Sequence, residues 1–255
     1  MTRLRLGALL ALAVAICACS HAPKAMAAAE VHRLNLVISA VPSQLNGGSM
    51  NDLIDRVNVF PLSFLGYEPM KKVTLGWLFD TELRYFVRPS FAVCAGVGQL
   101  KTESKRVYLP GIGAEVTLRG ELLQVPIHVG GLYYLAPYVQ GDFQARTYVG
   151  GGFTSLTTSR ATFTVREVNP LNPYPFNARL TGKGEGPGYY VEVGAHMFFA
   201  ARYSLMVGAV YRGALVTELQ QEGFMPIPDE NGRPLQLPDM DMGGLGFKMA
   251  VGIGL

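Results

Sequence analysis

The sequence has few charged residues and no long apolar run, and each shortage excludes a class of protein. Charged residues make up only 16% of the 255, against about 25% in a typical soluble domain. The longest apolar stretch, residues 6–19, falls short of the ~18 residues expected of a membrane-spanning helix. No transmembrane helix is therefore predicted, and an ordinary soluble domain is disfavoured.

Cysteine is also scarce, with three in the chain. Cys17 and Cys19 lie in the apolar stretch near the N-terminus, where residues 16–20 resemble a bacterial lipoprotein signal, so lipidation at Cys19 stays an alternative to simple cleavage. Cys94 is the one cysteine beyond this region, so no internal disulfide is predicted even in an oxidising compartment.

The N-terminus has the three parts of a secretory signal peptide. Arg3 and Arg5 form the positive region, residues 6–19 the apolar region, and Ala25-Met26-Ala27 a cleavage site of small residues. We predict a signal peptide over residues 1–27 and export of the remaining chain.

The exported domain, residues 28–255, is predicted to carry no net charge. The leader holds three of the 22 basic residues and none of the 19 acidic ones, which leaves 19 of each sign. Such a chain has no basic stripe for nucleic acid, so no nucleic-acid partner is expected.

From Leu34 onward, apolar residues recur at every second position, which is the period of a β-strand. The pattern predicts eight strands, over residues 32–40, 72–87, 91–104, 114–134, 138–150, 188–200, 204–217 and 243–255. The predicted tight turns are centred at Pro89, Ala136 and Arg202, and the predicted long loops cover 41–71, 104–113, 150–187 and 218–242. The fold class is therefore predicted to be all-β: an eight-stranded antiparallel up-and-down transmembrane β-barrel.

Two segments depart from the strand period. Residues 49–58 place their apolar side chains on one helical face behind a Ser49–Asp52 capping pair, so one short helix is predicted in the first long loop. In residues 114–134 the apolar parity changes, and a bulge near Leu122-Leu123 is predicted to reconcile the two halves.

The direction of the apolar face separates a membrane barrel from a soluble, lipocalin-like barrel. The opposite face is rich in small residues, which suits the narrow lumen of an eight-stranded barrel better than a water-facing surface. Aromatic residues on the apolar face lie near strand ends, as in interfacial girdles. The predicted girdle consists of Trp77, Tyr85, Phe91, Tyr133, Tyr148, Tyr189, Phe199, Tyr211 and Phe247.

Charged and polar residues of the other face are predicted to meet inside the barrel as an ion-paired network. Its predicted members are Asp80, Glu82, Arg84, Glu115, Arg119, Glu121, Asp142, Arg146, Glu192, His196, Arg212 and Lys248. Because isolated charges are costly in a narrow tube, each is expected to have a partner. Two interpretations of this network stay open: a cross-linked polar filling that fixes strand register, and a gated conduit whose ion pairs rearrange.

Catalytic and metal chemistry have little support in the pattern. Cys94, His128 and His196 are predicted to point into the lumen at similar height, with hydrogen-bond networks favoured over metal binding. Asp239 and Asp241 are expected to be solvated loop residues. No catalytic residue, cofactor or metal site is predicted, and the protein is expected not to be an enzyme.

An export signal, eight alternating strands, short turns, long loops and a final strand that ends at the last residue resemble the small outer-membrane barrels of Gram-negative bacteria. The OmpX, OmpW and OmpA-barrel kinds are the most similar. The resemblance implies a monomer in outer-membrane lipid, inserted by machinery that recognises the C-terminal strand. Leu255 stands where such proteins usually have an aromatic residue.

The function implied is a structural or surface-binding barrel that meets a ligand through its long loops. The alternative is a narrow, porin-like channel for small solutes or small hydrophobic molecules.

Overall fold

A computed structural model describes residues 32–63, 66–111, 113–140, 143–172, 174–199, 202–224, 236–237 and 239–255. The predicted signal peptide, the lipidation alternative at Cys19 and the predicted lumen residue Asp142 lie outside the described residues.

Eight antiparallel strands form a closed ring. They are β1 (Leu34–Gln44), β2 (Leu75–Arg88), β3 (Phe91–Gly111), β4 (Ala114–Tyr134), β6 (Phe143–Val168), β7 (Asn177–Phe198), β8 (Tyr203–Val216) and β11 (Gly244–Gly254). Each pairs with the next, and β11 closes the ring on β1, with Leu36 opposite Ile253. The predicted eight-stranded antiparallel barrel is confirmed.

Three short strands extend this ring. They are β5 (Tyr138–Gln140), β9 (Gln220–Phe224) and β10 (Met240–Asp241), which pair with β6, β7 and β8 respectively. A tight turn centred at Ala136 would pair Tyr133 with Val139. Instead, β5 folds back on the start of β6, and Tyr133 pairs with Val149. The predicted tight turn at Ala136 is therefore wrong, whereas those at Pro89 and Arg202 fall between consecutive strands.

Four strands are much longer than a membrane crossing requires. β3 and β4 have 21 residues each, β6 has 26 and β7 has 22, whereas ~9–11 residues suffice for a transmembrane strand. The additional residues of these strands project beyond the apolar band as paired sheet. The loops predicted over 104–113 and 150–187 are therefore wrong, because strand pairing continues through most of both segments.

The outward face carries a continuous apolar band. The exposed fraction is 47% for Leu83, 41% for Val93, 55% for Val129, 50% for Val191 and 45% for Val251, on five different strands. An apolar surface of this extent is unfavourable in water, and it suits a surrounding of lipid acyl chains. Within the described residues, no helix is long and apolar enough to cross a bilayer.

The parity of β4 differs from the prediction. Leu118, Leu122 and His128 are all buried, so one parity faces the interior throughout and no bulge reverses it at Leu122-Leu123. The irregularity lies instead on β6, where Thr157 is an extra residue opposite Val125-Pro126. Its hydroxyl donates to the Val125 carbonyl oxygen at 3.1 Å, so the bulge is accommodated without turning β4 over.

The first long loop enters the lumen from the end opposite the tight turns, which we call the upper end, and fills that part of the lumen. Helix α1 (Ser49–Val57) continues into a π-helical turn (Asn58–Ser63), and the predicted short helix is confirmed. We call residues 45–63 the plug. Its buried side chains pack against inward-facing residues of the wall, among them Leu100, Leu118, Leu122, Phe163, Leu180 and Val216. These contacts make the upper lumen an apolar core.

Asparagine side chains anchor the plug to the chain that leads into β2. The Asn51 amide donates to the Val73 carbonyl oxygen at 2.9 Å and accepts from the Val73 backbone N–H at 2.8 Å. Asn58 makes the same reciprocal pair with Met70, at 2.9 and 2.7 Å. Each amide satisfies one backbone donor and one acceptor that would otherwise be buried without a partner.

The last loop anchors the other end of the plug. Asp239 Oδ1 accepts from the Ser49 backbone N–H at 2.9 Å, at the N-terminus of α1, where a carboxylate is favoured by the helix dipole. Asp241 Oδ2 accepts from Asn46 Nδ2 at 2.9 Å. The two aspartates were predicted to be solvated loop residues; they bind the plug instead.

We expect Asp239→Ala to loosen the plug, because it removes a cap from α1. The loss should lower the free energy of unfolding by about 0.5–2 kcal/mol, measured by urea titration of the refolded barrel. Asp239→Asn retains an acceptor oxygen and should cost less. Equal losses for the two variants would contradict this role of Asp239.

Candidate functional site

A group of charged residues lies in the lumen below the plug. We call it the lumen cluster. It consists of Asp80, Glu82 and Arg84 on β2, His128 on β4, Glu192 on β7 and Lys248 on β11. Each alternates with an exposed apolar neighbour, so strand geometry turns the charge inward while the neighbour faces out.

Arg84 is the centre of the lumen cluster, and its side chain is fully buried. Its Nε donates to Glu82, its Nη2 to Glu192 Oε1 at 3.0 Å, and its Nη1 to the Tyr134 hydroxyl at 3.0 Å. The guanidinium also lies 5.2 Å from the centroid of the Tyr148 ring. One side chain thus links four strands across the interior.

Lys248 completes a circuit of alternating charge. Its Nζ lies 2.8 Å from Glu192 Oε2 and 3.9 Å from Glu82 Oε2. Glu82 and Glu192 therefore share Arg84 and Lys248, which gives two anions and two cations. Mutual neutralisation is needed because a buried charge without a partner costs several kcal/mol.

Asp80 and His128 lie beside this circuit. His128 Nε2 is 3.2 Å from Glu82 Oε2, and Nδ1 is 3.7 Å from Asp80 Oδ1. Asp80 is only 8% exposed, yet its Oδ1 makes no hydrogen bond. The carboxylate of Asp80 is thus the least well satisfied group in the lumen cluster.

Glycines on β3 allow residues of β2 and β4 to meet. Gly96 is opposite Glu82 on one side and His128 on the other. A Cβ at Gly96 would lie 2.7 Å from His128 Nε2 and 2.6 Å from the Thr81 carbonyl oxygen. Without a side chain at this position, the glutamate and the histidine can approach across the intervening strand.

A second polar group lies toward the short-turn end. His196 is fully buried, with Nε2 at 2.8 Å from Ser204 Oγ and Nδ1 at 3.2 Å from the Tyr134 hydroxyl. The Cys94 sulfur is 3.2 Å from the Tyr190 hydroxyl. Cys94, His128 and His196 are all buried in the lumen, and each takes part in hydrogen bonding, which the sequence favoured over a shared metal site. The Tyr190 ring also packs against His128, with the centroids 5.4 Å apart.

A small cavity adjoins the lumen cluster. Its volume is about 40 Å³, and Asp80, His128, Arg212 and Lys248 are among the residues that line it. Arg212 also donates from Nη2 to Ser43 Oγ. The cavity can hold water or a single ion, and it is too small for an organic solute.

Most of the predicted network lies inside the ring, and three members do not. The buried members are Asp80, Glu82, Arg84, Arg146, Glu192, His196 and Lys248, with Arg212 beside the cavity. Glu115, Arg119 and Glu121 were predicted in the lumen but have the outward parity of β4. Arg119 bridges Glu103 at 2.8 Å and Glu121 at 2.7 Å on the outer surface.

Three tyrosines of the lumen were not among the predicted lumen residues. Tyr134, Tyr148 and Tyr190 are buried there. Tyr148 was assigned to the girdle, which is wrong; it shares the parity of inward-facing Arg146, and that parity could have identified it. The other eight predicted girdle residues are exposed, namely Trp77, Tyr85, Phe91, Tyr133, Tyr189, Phe199, Tyr211 and Phe247.

We expect Arg84→Met to destabilise the barrel strongly, because it leaves Glu82 and Glu192 short of a buried cation. The free energy of unfolding should fall by about 3–5 kcal/mol, measured by denaturant titration with the fluorescence of Trp77. Arg119→Met removes an exposed pair and should change it by about 0–1 kcal/mol. Similar values for the two variants would show that the buried circuit contributes no more than a surface pair.

We expect Gly96→Ala to destabilise the barrel by about 1–3 kcal/mol, since the added methyl group overpacks the interior. Gly111→Ala is the matched control on the same strand, because no atom lies within 4 Å of its added Cβ. The same denaturant titration measures both. A neutral Gly96→Ala would refute the need for a bare backbone between Glu82 and His128.

Comparison with known proteins gives structural neighbours only. No protein-family model matches the chain, and no curated protein matches it in sequence. Among solved structures, the outer membrane protein OprG from Pseudomonas aeruginosa is 11% identical with a TM-score of 0.41, covering 89% of this chain and 98% of that one.

Two further neighbours cover 88% of this chain and 98% of their own. They are the N-terminal β-barrel domain of Pseudomonas aeruginosa OprF, at 12% identity and a TM-score of 0.34, and Ail, the attachment invasion locus protein of Yersinia pestis, at 11% and 0.34. All three are small Gram-negative outer-membrane β-barrels, the group that the sequence resembles. At these values the likeness carries no argument about function.

Proposed function

We propose that the protein is a closed outer-membrane β-barrel that serves as a structural and surface-binding scaffold rather than as an open pore. The observation that carries the proposal is the filling of the lumen. The apolar plug occupies the upper part, and the lumen cluster around Arg84 occupies the part within the apolar band. The cavity beside the lumen cluster, about 40 Å³, holds no more than water or an ion.

The outer face supports a lipid location. Aromatic side chains lie exposed toward both ends of the band, with Trp77 and Phe247 at one end and Tyr85 and Tyr133 at the other. Amphipathic rings favour the headgroup region of a bilayer. We further propose that the chain is a monomer and that insertion machinery recognises the apolar face of β11.

The projecting hairpins are the proposed contact with a surface ligand. The tip between β6 and β7 exposes Leu171 by 84% and Tyr174 by 87%, and the neighbouring tip of β3 exposes Leu109 by 73%. Glu167 fixes the first tip by accepting from the Phe176 backbone N–H at 2.9 Å, and this hydrogen bond lowers the pKa of Glu167. Apolar groups held clear of the membrane in this way suit binding to another molecule.

We also propose that the barrel has no catalytic role. Among the described residues, His196 with Ser204 is the pairing closest to a nucleophile and base, and the His196 side chain is fully buried. A substrate from either leaflet would have no access to these atoms.

The alternative function is a narrow channel that opens when the plug moves. It has one favourable observation: anchoring at the last loop relies on hydrogen bonds to Asp239 and Asp241, which can break and re-form. A displaced plug would expose the charged residues around the cavity to water.

Conductance in planar bilayers separates the two functions. We expect the refolded wild-type chain to give no discrete current steps at moderate voltage, under conditions where a general porin does. Asp239→Ala should remain silent as well, because the lumen cluster still closes the interior. Regular steps from the wild type, increased by Asp239→Ala, would favour the channel and contradict the closed barrel.

A further inference from the structure

We infer that Asp80, Glu82 and His128 form a binding site for a single transition-metal cation, with Zn²⁺ as the best match. The site would lie inside the barrel, and it goes beyond the scaffold role proposed above. Among the described residues, these three are the group of histidine, cysteine and acidic side chains close enough to share an ion.

The ligand atoms are already near the required arrangement. One ligand atom from each residue lies within 4.8 Å of the other two. Bonds of about 2.0–2.2 Å to zinc need ligand atoms somewhat closer together than this. His128 Nε2 and Glu82 Oε2 are 3.2 Å apart, which already fits. Asp80 Oδ1 lies 3.7 Å from the other ring nitrogen, Nδ1, so the Asp80 side chain must turn toward Nε2 to complete the site.

The state of Asp80 points to a ligand. Its buried Oδ1 has no hydrogen-bond donor, whereas native structures rarely leave such an atom unsatisfied. Glu82 and Glu192 share the two cations Arg84 and Lys248. Neither of these two cations forms an ion pair with Asp80. A bound cation would supply the partner that Asp80 Oδ1 lacks.

Other cations face the site and limit what it can bind. Lys248 stays nearer to Glu192, at 2.8 Å, than to Glu82, at 3.9 Å. Arg212 lines the same cavity, where its Nε has no hydrogen-bond partner. A water that bridges Arg212 and Asp80 is therefore the competitor that a metal must displace.

The backbone leaves room for the ion. Gly96 places no side chain between Glu82 and His128, and a Cβ at Gly98 would lie 3.1 Å from Asp80 Oδ1. The cavity of about 40 Å³ adjoins all three ligands, so a water could take a further coordination position. Three protein ligands with an open position form a common zinc arrangement.

The donor set selects the class of metal. An imidazole with two carboxylates suits Zn²⁺, Cu²⁺ or Ni²⁺, whereas Ca²⁺ and Mg²⁺ prefer sites made of oxygen ligands alone. A bound ion would join β2 to β4 across β3 and so brace the barrel wall beneath the plug.

The test uses the full exported chain, refolded in detergent with and without Zn²⁺ because the lumen is enclosed. After removal of free metal, elemental analysis should find one zinc per chain. Asp80→Asn and His128→Gln should each weaken binding at least about tenfold. His32→Gln, at the rim of the barrel, and His196→Gln, buried outside the site, should bind as the wild type does.

Folding is checked for every variant by heat-dependent migration in gels. Cu²⁺ in the wild-type chain provides a test without mutation, since electron paramagnetic resonance should show coupling to one imidazole nitrogen. A refolded wild type without metal, with water alone in the cavity, would overturn the site. So would equal binding by His128→Gln and His196→Gln, or a copper spectrum without nitrogen coupling.

Discussion

The pairing of buried charge around Arg84 is the constraint on which the rest of this barrel depends. A guanidinium with no exposed surface must find anions, and it finds Glu82 on its own strand and Glu192 on β7. A slip of one residue in any strand that carries one of these charges would turn that charged side chain outward into lipid. The charged residues on the other strands would then lack a partner. Strand register, lumen closure and the orientation of the apolar band therefore support one another.

The division of the lumen into a charged lower part and an apolar upper part follows from the path of the first loop. Where the plug enters, the wall must present Leu118 and Leu122, because α1 offers apolar side chains there. Below it, the small residues of β3 let charged groups from β2 and β4 approach each other across Gly96. The outward face of the barrel is apolar only in the band described above. In the projecting hairpins, the outward face carries charged residues such as Arg119 and Glu121.

The alternation of side chains was enough to predict the barrel, the number of strands in the ring and the inward direction of residues such as Glu82 and Lys248. It failed where the period of a single strand was not followed to its end. Arg119 was placed inside because a bulge at Leu122-Leu123 was expected to change the parity of β4, and Tyr148 was placed outside because it is aromatic. The unbroken period of each strand indicates the opposite direction for both residues. The loops predicted over 104–113 and 150–187 are largely strand, because hydrogen bonds to a neighbouring strand outweigh weak local propensity.

The sequence by itself determined which residues can face lipid and which can face the lumen, because a strand has a period of two and a charge on the lipid side is costly. Only the tertiary structure decided which lumen residues meet. Glu192 reaches Arg84 across 108 positions, and Asp239 caps a helix 190 positions away. Those contacts depend on strand stagger, on the extra residue Thr157 and on the route of the plug, none of which has a local signal in the sequence.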